Sequence, residues 1–116
     1  KQLQSLRRKG VLIIGSGNIV HNLQLSMGNL RNNTGKPFDW AIEFDEWAKS
    51  RLDDRDFQAL VNYEKRGSEA KLSVPTVDHY VPMLYSVGLA GANEELHQFY
   101  EEITYGGISM RCFQVG

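Results

Sequence analysis

The feature that most constrains this chain is a short apolar run, Val11-Leu12-Ile13-Ile14, set between Gly10 and Gly15. It is too short for a helix and rich in β-branched side chains, which suit a pleated surface. A run that is apolar at every position, not at alternate ones, predicts a central strand covered on both faces, as in a parallel sheet. Residues 1–9 are polar and basic, with Leu3 and Leu6 three apart. They read as the last turns of a helix, with cations near the negative end of its dipole and Gly10 as the stop signal. A helix followed by a buried strand is half of an α/β unit. The expected fold class is therefore α/β, a mixed sheet with flanking helices.

The rest of the chain supplies the helices. From Trp40 to Leu52, apolar residues fall at 40, 41, 44, 47, 48 and 52, with Glu43, Asp45, Glu46 and Lys49 between them. That spacing predicts an amphipathic helix with a solvated acidic face and with Trp40, Phe44 and Trp47 as packing residues. Phe57, Leu60 and Val61 predict a second short helix, capped by Asp54 or Asp56. Residues 28–38 and 64–74 read as loops, the first dense in Gly, Asn and Pro. Residues 94–102 are a short helical candidate. Tyr105-Gly106-Gly107 reads as a turn, and Ile108 to Val115 alternates as a final strand.

The chain of 116 residues suits one small domain or a piece of a larger one. It opens with Lys1 inside what reads as a helix, so an upstream segment is expected. A net charge of -1 gives no electrostatic case for nucleic acid or an anionic membrane. No apolar run approaches the ~20 residues of a membrane helix, and no signal peptide is legible. Cys112 is the single cysteine and lies in an apolar run, which predicts a buried, inert thiol. A reducing, cytoplasmic location is the matching expectation.

Two segments stand out as sites. Gly15-Ser16-Gly17-Asn18 follows the predicted strand, and His21 and Asn22 come next. Strand ends of this kind are where α/β proteins gather ligands. A dinucleotide fingerprint fails here, because the third glycine position holds Val20. A nucleophile elbow fails as well, since Ser16 lies in GSG and not in GxSxG. By itself, His21 fits a hydrogen-bonded structural histidine as well as a site residue. The second segment is PTVDHYVPMLYSVG, residues 75–88. Pro82 would break a continuous helix from Thr76, so a single turn over 76–80 and a helix starting near Pro82 are predicted. His79 then falls at the irregular junction, a place where structural and ligand roles are both open. His97, among glutamates, reads as a surface residue with no metal-ligand pattern around it.

Taken together, GSGNIVHNL, DHYVPMLYSVG and the terminal GGISMRCFQVG resemble the C-terminal part of the LigB-type extradiol dioxygenases, in their 4,5-DOPA dioxygenase-like branch. The likeness covers nearly the whole chain, including the Trp-rich helix and VNYE at 61–64. It implies the C-terminal portion of a larger single-domain α/β enzyme that opens a catechol ring with O2. It also implies one Fe(II) or Zn(II) ion held by histidines, two from an N-terminal half and one matching His79. His21 would stand beside the metal as acid/base and bind the ion itself in zinc-loaded forms. Ser16, Asn18 and Asn22 would orient His21 or contact substrate.

This chain supplies at most two of those ligands, His21 and His79, whereas a catalytic metal normally takes three protein ligands plus open positions. The 116-residue piece is therefore expected to be inactive unless an upstream segment or a second chain adds further histidines. The alternative is a non-catalytic zinc-binding or protein-interaction module on the same scaffold.

Overall fold

The computed structural model describes residues 3–116. Lys1 and Gln2, at the start of the predicted first helix, lie outside the described residues. Helix α1 covers Gln4–Arg7 and stops before Gly10, which takes a φ of 77°. The predicted central strand does not form: residues 11–18 run without regular structure, and Leu12 and Ile14 are 82% and 79% exposed. A strand exists through the bonds it makes to a neighbour. Among the described residues, no strand pairs with this run.

Helix α2 spans Leu23–Asn32, so the loop expected from residue 28 begins only at Asn33. Two asparagines set its limits. The Asn22 side chain accepts from the Leu25 N–H at 3.0 Å, and Asn33 closes the helix with a φ of 49°. Helix α3, Asp39–Asp53, buries Ala41, Phe44, Asp45, Ala48 and Leu52 along one stripe. Helix α4, Phe57–Val61, is capped by Asp56, whose carboxylate accepts from the Ala59 N–H at 3.1 Å. Residues 64–74, read as a loop, are helical instead: a 3-10 turn at Tyr63–Arg66 leads into α5, Ser68–Ser73. Fully buried Ala70 and Ser73 are small enough to let α5 lie against α3, and that packing outweighs the segment's polar composition.

Helix α6, Val81–Gly88, starts beside Pro82 as expected. Residues 94–102 form a strand and not a helix. Strand β1, Leu96–Tyr100, pairs antiparallel with β4, Cys112–Val115, placing Leu96 opposite Val115 and His97 opposite Gln114. A partner strand overrides the weak helical preference of the glutamate-rich run. The predicted final strand divides in two. Strand β3, Ile108–Ser109, pairs with β2, Ile103–Thr104, across the Tyr105-Gly106-Gly107 turn, and β4 follows separately. On β4, Phe113 packs against the core and its neighbour Cys112 points away. The thiol is thus exposed, contrary to expectation, because side chains alternate along a strand.

The resulting mixed α/β fold has one apolar centre. Phe44, Tyr63 and Tyr80 meet there, with ring centroids 4.5 to 6.4 Å apart, beside Leu52, Leu60 and Val20. Trp40 and Trp47 flank it, as their spacing predicted. No helix among the described residues is long and apolar enough to cross a membrane.

Candidate functional site: a stacked pair of histidines

His21 and His79 are 58 residues apart in sequence (79 minus 21), yet their rings stack with centroids 3.7 Å apart and planes 12° from parallel. Each is held by anchored neighbours. Before His21, Ile19 and Val20 are buried, and after it Asn22 is only 7% exposed. The His21 N–H donates to the Ser73 carbonyl at 2.8 Å. The Asn22 side chain donates to the Leu72 carbonyl at 2.8 Å while capping α2. Both bonding ends of that amide are therefore committed within the protein.

On the other side, Tyr80 is fully buried, and its hydroxyl donates to the Leu60 carbonyl at 2.8 Å. Burial and the neighbouring Tyr63 push the Tyr80 phenol well above the ordinary tyrosine range. This anchor fixes the backbone immediately after His79. The irregular turn before α6 leaves the His79 ring half-buried at the surface of the molecule.

The glycine loop sits directly on this turn. The Asn18 N–H donates to the His79 carbonyl at 2.8 Å. A side chain at Gly17 would overlap that same carbonyl, and one at Gly15 would come within 2.6 Å of the Pro82 carbonyl. These glycines are needed for close approach of two backbones. Ser16, between them, is exposed, and Asn18 turns its amide to the Ser109 carbonyl at 2.7 Å.

Burial first, and then the adjacent His79 ring, push the His21 imidazole below its ordinary value; Asp78 opposes this more weakly. A ring so placed is neutral near neutral pH, with a lone pair free to take a proton or a cation. His97 takes no part in this pair and stands exposed on β1. Two surface grooves also lie away from the pair. One groove of about 460 Å³ runs beside β1 and the end of α3, and another of about 360 Å³ lies beside Trp47 and Gln58.

Sequence reasoning missed a second polar centre. Asp45, expected on a solvated face, is 4% exposed and pairs with Arg111 at 2.5 Å. A signal was present: residue 45 adjoins 44 and lies three from 48, within the apolar stripe of α3.

A loop-borne histidine thus stacks on a second histidine that stands just ahead of helix α6. No protein-family model matches the chain. It is 34% identical to the 4,5-DOPA dioxygenase extradiol of Escherichia coli K12, over 100% of this chain and 42% of that protein. It is 28% identical to the 4,5-DOPA dioxygenase extradiol of Portulaca grandiflora, over 98% of this chain and 41% of that protein. A crystal structure of an uncharacterized Escherichia coli K12 protein superposes with a TM-score of 0.86 at 34% identity, covering 99% of this chain and 47% of that one.

These matches are consistent with the C-terminal part of a LigB-type extradiol dioxygenase. It spans about two fifths of the length of the curated relatives it matches, 42% and 41% in the two cases above.

Proposed function

We propose that the protein carrying this sequence opens the ring of a catecholic substrate beside its diol, using O2 and a histidine-bound divalent metal, Fe(II) or Zn(II). The observation that carries the reading is the stacked His21–His79 pair in a chain whose relatives are extradiol dioxygenases. Imidazole suits either ion. The nitrogens of the pair are the donor type such an ion takes, but the rings lie nearly parallel and 3.7 Å apart, so one ring must turn before both nitrogens meet a single cation. Among the described residues, however, no group of three or more His, Cys, Asp or Glu is arranged to hold a metal. The remaining histidines are assigned to another stretch of the same protein or to a second chain.

When bound, the ion would orient the catechol and ease its deprotonation as a Lewis acid. His79 is assigned as a metal ligand. His21 is assigned as the acid/base, and as a further ligand in a zinc-loaded form. Its half-buried neutral ring accepts the catechol proton and returns it later. The backbone N–H of His21, bonded to the Ser73 carbonyl, holds the segment that carries the ring. Exposed Ser16 is assigned to the substrate side of the loop, whereas Asn18 and Asn22 orient His21 through their bonds to the backbone. The assigned setting is the cytoplasm, where Cys112 stays reduced.

The test uses the full-length protein loaded with Fe(II), supplied with catechols in air and followed by visible absorbance. A yellow semialdehyde-type product is expected. Zinc retained with no product from several catechols would replace the enzyme by a zinc-binding module. In the same assay His79→Ala is expected to lose the metal. His21→Ala is expected to keep metal and lose turnover by ~10²–10⁴-fold. Full activity in either variant removes that residue from its role.

A further inference from the structure

A buried polar cluster ties α3 to β3 and to Arg111. The Asp45 carboxylate accepts from the Ser109 hydroxyl at 2.6 Å and from Arg111 Nε and Nη2 at 3.2 and 2.5 Å. Asp45, Ser109 and Arg111 are 4%, 1% and 7% exposed. Arg111 Nη1 extends the cluster outward to Gln98 and Glu101, each at 2.9 Å. Burial alone would lower the proton affinity of the guanidinium, and its bonds to Asp45 and Glu101 more than reverse that.

Replacing a buried ion pair by apolar side chains is often neutral for stability or better. The cluster therefore calls for a reason beyond stability, and the bonds of Ser109 supply one. The Ser109 carbonyl accepts from the Asn18 side chain at 2.7 Å, and its N–H donates to the Val20 carbonyl at 2.9 Å. These two bonds grip the loop immediately ahead of His21. The Asn18 N–H in turn holds the His79 carbonyl at 2.8 Å. A continuous set of bonds thus joins Asp45 in α3, through Ser109 in β3, to the backbone of both histidine segments.

We propose that Asp45, with Ser109 as its relay, is a positioning residue for the two-histidine site. It fixes β3, so that Asn18 and Val20 hold the His21 loop in register with His79. The proposal builds on the dioxygenase reading only for its kinetic consequence. A misplacement of about 1 Å at a reacting group costs up to ~100-fold in rate.

The experiment uses full-length protein with ¹³C-labelled histidine rings, read by NMR and assigned through His21→Gln and His79→Gln. Rings stacked at 3.7 Å shift each other's proton signals. Asp45→Asn, which keeps the shape and removes the charge, and Ser109→Ala, which removes one hydroxyl, are both expected to move the His21 and His79 signals toward unstacked values. Should Asp45→Asn fail to fold, Ser109→Ala decides. Arg7→Ala breaks a half-buried ion pair with Glu94 elsewhere in the molecule. It is expected to lower the melting temperature and leave both signals in place.

In the active enzyme, Ser109→Ala is expected to lower kcat by about tenfold to a hundredfold with KM unchanged. If Ser109→Ala lowers the melting temperature but leaves the ring signals unmoved, the cluster is structural only and the proposal falls. A wild-type protein without activity would sink the dioxygenase reading, while the ring signals would still decide the positioning role.

Discussion

Two apolar stretches of this chain meet opposite fates. Val11 to Ile14 is apolar at every position, yet Leu12 and Ile14 are four-fifths exposed, at 82% and 79%. The stripe on α3 is interrupted by Asp45, yet Ala41, Phe44, Ala48 and Leu52 are fully buried. Hydrophobicity states what gains from leaving water, and the partners at hand decide what leaves it. Helix α3 has most of its partners close by in sequence, in α4, α5 and Tyr63. A strand has to be met by other strands, and among the described residues none meets 11–14.

That contrast can be broken or sharpened by three substitutions. The largest effect is expected at the centre of the buried stripe. Phe44→Ala removes a ring that contacts Trp47, Tyr63 and Tyr80, and is expected to cost ~3–5 kcal/mol in denaturant unfolding. A loss near 1 kcal/mol would mean that α3 packs less tightly than described.

A middle effect is expected at Tyr80. Tyr80→Phe loses the hydroxyl bond to Leu60 and is expected to cost ~1–2 kcal/mol near neutral pH. The pH dependence carries a definite sign. Tyr80 ionises less readily folded than unfolded, so its contribution is complete below the ordinary tyrosine value of 10.0. It is lost as pH rises from there through the higher folded value, because the unfolded chain gives up its proton first. Melting curves between pH 9 and pH 11, as ~1-unit steps around that value, should show wild type losing stability faster than Tyr80→Phe. Parallel curves would show that the phenol is not held protonated by burial.

The smallest effect is expected in the exposed run. Leu12→Ser should change the stability of this chain by no more than ~0.5 kcal/mol, as for other surface substitutions. If the same substitution costs several-fold more in the full-length protein, the run is buried there against residues beyond this chain.

Much of the site was legible before the fold was known. Pro82 announced the break before α6, and with it the junction that carries His79. Local chemistry of this kind acts over a few residues and can be read in order along the chain. The strand at 96–100 could not be read that way. Its pairing with 112–115 depends on a segment 16 residues away (112 minus 96), and its glutamates favoured a helix.

The sequence by itself determined the amphipathic helix α3, the capped α4, the turn at 105–107 and the two histidine-bearing segments. Spacing, capping and proline or glycine geometry depend only on near neighbours. Tertiary structure alone decided that His21 and His79 stack, that Asp45 leaves solvent to meet Arg111, and that Cys112 faces outward. Each of those outcomes depends on which remote surface a side chain meets, and no local preference encodes that.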